Sequence, residues 1–516
     1  MAAIRDMVRP FLTFMALLLC LTGCDGGGAV AGGGGGISGS GVVTGQITGF
    51  GSVIVNGIRF SRKAGLADDR VKLMFENNTS AREDNLRIGM IVTVKGAFDS
   101  ASGAGEYESI EFQPEIRGPL DDAGVDPAAN RIRIMGRDIQ VEANTAFDSI
   151  RDLDEMNGEL QAGHRPELEI SGNLDNAGVL HATRIARKAA DFTAGPVQIK
   201  GMITTATANG FSIGTRSVVV DADTEFRNMT PTEIAAGLLV EVKGVLNGAI
   251  FTAARVEKKN AVEADVNDNV RVKGTAVGGV SNDTFTINGP NGAISVNTAA
   301  ASFIKGGAAA TPAIVTAGAT LQVEGTLRTD GSIAAVKVSV EVEKTVKLEG
   351  NAVAGAFNAG TALTLNGVTV NIVPTTRLVD KTGMALTPAS IIAGDHLQIT
   401  GVIIDGPTGN FSNINASQIQ RTTAGTVSFI QGPVSAKTAA TLTILGVTID
   451  TGSLDQAKDF VDNRVGTETP FGATRDESQT RFFAAVTTDG LTVVKAKGTV
   501  TGAVMTATEV ELKQPL

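Results

Sequence analysis

The chain has 516 residues, room for several ordinary domains or for an array of smaller ones, and carries 62 glycines, one tyrosine and no tryptophan. A mean hydropathy of +0.12 is too apolar for disorder, and the apolar residues are too evenly spread for a polytopic membrane protein. Glycine and β-branched residues disfavour helical bundles, and a formal net charge of −10 speaks against nucleic acid as a partner.

Taken in chain order, residues 1–23 read as a secretory signal. Arg5 and Arg9 supply a basic start, and Phe11 to Leu19 form an apolar stretch too short to span a membrane as a mature helix. Leu21-Thr22-Gly23-Cys24 resembles the lipobox of signal peptidase II substrates. That resemblance implies that Cys24 is acylated and becomes the mature N-terminus, so the chain is expected in a bacterial cell envelope, held to a membrane by palmitate-type lipid. Cleavage would also remove Cys20, leaving no disulfide, catalytic thiol or cysteine-based metal site. Residues 24–41 are then the lipidated cysteine and a glycine-rich tether, with a reach of about 20–25 Å.

A repeated unit follows. A strand with a central glycine recurs at Gly45, Gly118, Gly201, Gly274, Gly350 and Gly432, at intervals of 73, 83, 73, 76 and 82 residues. Twelve to eighteen residues later comes a glycine between apolar residues, as in Asn56-Gly57, Met135-Gly136, Asn366-Gly367 and Leu445-Gly446. Asn-Gly at such a place signals a tight hairpin. An alternating strand bounded by glycines seven apart is the third landmark (Gly89 to Gly96, Gly237 to Gly244, Gly318 to Gly325, Gly394 to Gly401). The last strand closes the unit: Gly248 to Glu257 aligns without gaps on Gly502 to Glu511.

Thr230-Pro231-Thr232-Glu233 has the form of a helix start, so each unit reads as three strands, a short helix or loop, and two strands. The repeats are expected at 42–113, 116–188, 197–259, 269–344, 345–421 and 425–513, the sixth interrupted near Asp455–Ser478. This is the element order of the OB-fold. The fold expected is therefore all-β: a tandem array of about six small five-stranded OB-like β-barrels, each sealed around its own core like a bead. The pattern of glycines, "V-x-x-x-T-x-F" at Val220 to Phe226 and "A-x-x-V-E" resembles domain of unknown function 5666, which occurs as tandem copies in bacterial lipoproteins. The resemblance names no activity.

Chemistry is sparse. His164, His181 and His396 lie outside metal-ligand spacing of one another and read as ordinary strand or loop residues. Asp152, Asp154, Glu155 and Glu159 cluster, and read first as a solvated helix face, although paired carboxylates for a glycosidase need only meet in space. Phe147, Phe226 and Phe303 recur in register, which argues for barrel core. Asp265-Val266-Asn267-Asp268-Asn269, between repeats 3 and 4, resembles the inter-domain calcium linker of cadherins, so Asp265, Asn267, Asp268 and Asn269 are the candidate metal ligands and calcium the one cofactor suggested.

The functional expectation is a non-enzymatic, lipid-anchored envelope protein with a structural or binding role, in contact with glycan or protein and not with nucleic acid. In repeat 3 the binding face would be strands 2 and 3 with their framing loops, Ala206 to Gly210, Ser212 to Val220 and Leu246 to Gly248, using amides such as Asn209 and Asn247. The alternatives are a hydrolase or lyase acting on polysaccharide with carboxylates from adjacent barrels, and a calcium-stiffened adhesion rod.

Overall fold

A computed structural model describes residues 36–513, except 51, 128, 176, 341–344, 354–356, 359–360, 374–375, 382–383, 404–410, 412, 423–424, 426–427 and 464–468. The signal segment, Cys24 and most of the tether lie outside the described residues.

Repeat 3 shows the unit. Its strands are Ala194–Thr207, Gly210–Ile213, Arg216–Val219, Leu239–Asn247 and Ile250–Lys258. The first pairs antiparallel with the second and the fourth, the second with the third, the fourth with the fifth, and the third runs parallel to the fifth. The order 1-2-3-5-4-1 closes the sheet into an OB-like barrel. Repeats 1, 2, 4 and 6 close the same way. Repeat 5 shows the path 2-3-5-4-1 among its described pairings.

The landmark glycines have physical reasons. In the Asn-Gly hairpin of repeat 1, Asn56 and Gly57 have φ of 48° and 76°, and Met135-Gly136, Asn366-Gly367 and Leu445-Gly446 follow the same turn. The first turn residue then folds its side chain over the glycine of the first strand. A Cβ at Gly45 would collide with the Asn56 side chain, one at Gly118 with Met135, and one at Gly350 with Asn366. The two landmarks are halves of one contact. The fourth-strand glycine answers a different need: ladder register shifts between Lys243 and Gly244, and a Cβ at Gly244 would sit against the carbonyl oxygen of Thr252. The same bulge recurs at Gly96, Gly172, Gly325 and Gly498.

Three details differ from the sequence reading. The first strand of repeat 1 is Ser38–Gly49, so residues 38–41 belong to the barrel and not to the tether. There, the backbone of Ser38, Gly39, Ser40 and Gly41 is laddered to Asp99, Phe98, Ala97 and Gly96, and a Cβ on Gly41 would meet Asn269 and Phe98. Secondly, the connection before the fourth strand is an α-helix only in repeats 2 and 6 (Leu153–Gln161 and Arg475–Ala485). In repeats 1, 3, 4 and 5 its helical part is a single 3₁₀ turn, such as Pro231–Glu233, where the capping-box bonds of Thr230 and Glu233 form around a segment too short to propagate a helix.

The third difference is the largest: the barrels are not separate beads. The first strands of repeats 2 and 3 pair antiparallel, Arg117 opposite Gln198 and Ile116 opposite Ile199. Those of repeats 5 and 6 (Thr345–Asn351 and Phe429–Lys437) pair in the same relative register, with Lys347, Leu348 and Glu349 opposite Gln431, Ile430 and Phe429. Each couple shares one sheet and one hydrophobic core. Repeat 1 skips its neighbours and pairs with repeat 4, in parallel, through Gly41–Thr44 and Asn269–Val272. By alternation the seam residues Ile116, Ile199, Leu348 and Ile430 point inward and are all fully buried.

The insertion of repeat 6 builds its own annex. Phe482 of helix Arg475–Ala485 meets the rings of Phe460, Phe471 and Phe483 at 5.7, 5.6 and 5.6 Å between centroids. No helix among the described residues is long and apolar enough to cross a membrane.

Candidate functional site

Pairing gives each couple a broad outer sheet face, with the apolar residues of its strands turned inward. On repeats 5 and 6 this saddle displays Lys347 and Glu349 from one first strand and Phe429 from the other. Gln398 and Thr400, Gln418 and Gln420, and Lys495 and Lys497 come from the flanking strands. Their alternates Leu348, Ile399, Ile419 and Ala496 lie in the core. Repeats 1 and 2 stand over the saddle with Arg87 and Ile88, with Glu142 and Thr145 to Asp148, and with Arg184. Between the walls is a cavity of about 460 Å³, within the usual size for a small-molecule or saccharide site.

Its walls are rich in cations. Asp148 lies 2.7 Å from Arg184 and 3.9 Å from Arg87. Burial disfavours its charge, yet Arg184, then Arg87 and Arg377, hold its carboxyl below the usual range. Arg184 also bonds Glu169 at 3.0 Å. Burial, and then the neighbouring Arg377, lower Arg87 to about 10. Arg377, from repeat 5, donates to the Leu86 carbonyl of repeat 1 at 3.4 Å, tying the two walls together. Across the cavity, Lys495 stands 4.2 Å from the centre of the Phe429 ring. Half-buried Lys347 is pushed down to about 7, first by burial and then by the charge of Lys495, with Glu349 opposing.

Glu349 is held firmly. His396 Nε2 lies 2.9 Å from one of its oxygens and Gln398 donates to the other at 2.9 Å, while His396 Nδ1 lies 2.7 Å from Asn351 Oδ1. His396 is thus a buried strand residue that orients a wall carboxylate. His181 sits between Glu142 at 2.7 Å and Asp175 at 3.3 Å, and although burial opposes it, these carboxylates raise its pKa. His164 pairs with Asp191 on the surface.

The acidic cluster serves its helix. The Asp152 side chain accepts from Glu155 N, Glu155 accepts from Arg151 N at 2.8 Å, and Glu159 pairs with Arg187 at 3.0 Å. Asp152 and Asp154 nevertheless reach the cavity rim. Phe303 is core, and Phe147 and Phe226 pack half-buried against theirs, Phe147 also lining the cavity.

In the candidate calcium segment, Asp268 accepts from Asp265 N at 3.0 Å, Asn267 N donates to Leu327 O at 2.8 Å, and the Asn269 side chain donates to Ser40 O at 3.1 Å. These oxygens and amides build a turn that starts repeat 4 and fastens it to repeat 1. Among the described residues, no group of three or more His, Cys, Asp or Glu side chains is arranged to hold a metal. The loops at Ala206 to Gly210 and Leu246 to Gly248 are largely exposed and lie outside the cavity lining. Sequence reasoning missed Lys347, Arg377, Arg87 and Lys495, whose one signal was a charge three residues before a strand glycine in the cases of Lys347 and Lys495.

A search of curated proteins finds no match to the chain. The family described as "Domain of unknown function (DUF5666)" matches four times, at residues 117–186, 200–257, 273–339 and 352–408, which are repeats 2, 3, 4 and 5. Repeats 1 and 6 share the barrel closure but carry the inserted segments between their third and fourth strands. Residues 117–408 of the chain are thus four tandem copies of the DUF5666 domain.

Proposed function

We propose that the protein is a lipid-anchored, non-enzymatic component of a bacterial cell envelope that binds an envelope glycan in the cavity between its barrel couples. The observation that carries this reading is the cavity itself: about 460 Å³, walled by four different repeats and lined by side-chain amides, ammonium groups and guanidinium groups. Amides such as Gln398, Gln418 and Gln420 beside cations suit hydroxyl-rich ligands, and a site spanning four repeats explains why tandem copies would act as one body. The basic, apolar and lipobox segments in the right order before Cys24 support the anchor.

The anchor is tested by Cys24→Ser in the native host. The variant is expected in the soluble fraction after a carbonate wash, and equal membrane retention would remove the lipid from the reading. Binding is tested by pull-down of fragmented envelope polysaccharide with the detergent-solubilised chain. Release of shortened sugar products during that incubation would instead favour the hydrolase or lyase reading.

A further inference from the structure

The two saddles share a register but differ in what fills them. On repeats 2 and 3 the face is occupied by the protein itself. A hairpin of repeat 1, formed by strands Val71–Leu73 and Asn78–Ala81, lays its tip there. The Arg117 guanidinium stands 4.4 Å from the Phe75 ring centre and Lys243 stands 6.0 Å from it. Lys243 also donates to Met74 O at 2.7 Å. The Glu76 carboxylate lies 3.4 Å from Arg117 and 3.9 Å from Lys188. An aromatic ring and a carboxylate thus form the internal ligand of a saddle.

On repeats 5 and 6 the matched face looks into the cavity instead. Counting from the central glycine of each strand, Glu115 corresponds to Lys347, Arg117 to Glu349, Glu169 to Gln398, Glu241 to Lys495 and Lys243 to Lys497. The aromatic partner, supplied by the hairpin in one couple, is built into the strand in the other, where Lys495 covers Phe429. Arg377 and Arg87 add guanidinium groups from the remaining walls. The saddle has kept its cation-over-ring arrangement, two of its carboxylates (Glu115 and Glu241) have become Lys347 and Lys495, and a cavity takes the place of the hairpin tip.

We propose that this cavity is the receptor for a carboxylate-bearing sugar of the uronate class, whose carboxylate is met by Lys347, at the place of Glu115 on repeats 2 and 3, and by Arg377. The proposal rests on the glycan reading above and narrows it. Lys347 supports it independently. The charged groups that line the cavity with that ammonium are Glu349 on its own strand, Arg377 on repeat 5, Lys495 and Lys497 on repeat 6, and Arg87, Glu142, Asp148, Arg151, Asp152, Asp154 and Arg184 on the opposite wall. Cations outnumber carboxylates among them, and an arriving carboxylate offsets the burial and the charge of Lys495 that hold Lys347 near 7, so binding takes up a proton.

The test is calorimetry of the detergent-solubilised full chain with trigalacturonate, its fully methyl-esterified form, monomeric galacturonate and inorganic phosphate. Trigalacturonate is expected to bind with proton uptake near neutral pH, read from the buffer dependence of the heat. Lys347→Met and Arg377→Gln should each weaken it by about tenfold or more, the size expected for losing one charged contact in a partly desolvated site. Lys347→Met should also abolish the proton uptake, which a merely misfolded variant would not do selectively, and the exposed Lys458→Ala should change nothing. Binding of the monomer as tight as the trimer points to a free sugar acid, and weaker binding points to a polymer; either keeps the carboxylate. Equal affinity for the methyl ester, equal affinity for phosphate, or indifference to both variants overturns the proposal. If trigalacturonate fails while a neutral envelope glycan binds, the uronate inference falls and the glycan reading survives. If no envelope glycan binds at all, both fall.

Discussion

Val242→Asp separates a body of coupled barrels from a string of independent ones. Val242 lies on the fourth strand of repeat 3, fully buried, opposite Ile199 on one side and Val256 on the other. Ile199 is itself the seam residue facing Ile116 of repeat 2, so the substituted site is one strand away from the neighbouring barrel. Losing the valine's burial costs about 1.5–3 kcal/mol. An unpaired carboxylate in that core adds about 3–5 kcal/mol, and the total of roughly 5–8 kcal/mol matches the whole stability of a typical domain. Because the core is continuous from Ile116 to Val256, the loss should unfold both repeats. Hydrogen exchange with mass-spectrometric readout is the assay. Peptides from 116–189 and from 194–258 should lose protection together, while those from 429–513 keep it. Full protection in 116–189 beside complete exchange in 194–258 would refute the shared core.

Two further outcomes follow from the geometry. Lys347 releases its proton near pH 7 when folded but only near 10.5 when unfolded, so between those values the unfolded chain binds more protons and stability rises with pH. Chemical denaturation of repeats 5 and 6 should show a gain of about 2 kcal/mol from pH 7 to 9, and Lys347→Met should flatten it. At Gly244, alanine would press its Cβ on the Thr252 carbonyl within a close backbone bulge, so Gly244→Ala should cost about 2 kcal/mol or more in a thermal melt. Gly237→Ala, where a Cβ meets open space, should cost less, through its φ of 85° alone.

Much of the fold could be read because its signals are local. The hairpin at Asn56-Gly57, the bulge at Gly244 and the alternation that buries Val242 each depend on a few neighbouring residues. The pairing partners could not. Ile116 finds Ile199, but Val43 finds the neighbourhood of Arg271, and nothing near either first strand specifies whether its partner is the next repeat or the third one on. The cavity inherits that illegibility. Lys347 looks like any polar residue alternating with Val346 and Leu348 until Lys495 and Arg377 are placed around it. Asp265 to Asn269 show the converse case: a string that suggests ligands by composition also has a local structural role, its amides and carboxylates bonding their own backbone and that of repeat 1.

The parallel seam between repeats 1 and 4 sets a schedule for assembly. Entropy hardly distinguishes it from the others: closing the loop from Gly41 to Asn269 costs only about 1 kcal/mol more than closing the one from Ile116 to Ile199, since the penalty grows with the logarithm of length. Time distinguishes it. Repeats 2 and 3 can zip as soon as the second of them has emerged, whereas repeat 1 waits for Asn269–Ala276, roughly 10–30 s after its own last strand at ordinary rates of synthesis. Throughout that interval the edge Gly41-Val42-Val43-Thr44 offers unpaired amides and carbonyls on an apolar, uncharged strand, the kind of edge that recruits foreign strands. The nascent chain is therefore most vulnerable to aggregation at its N-terminal end, and a holding partner would have to mask that edge rather than any residue of the finished barrel.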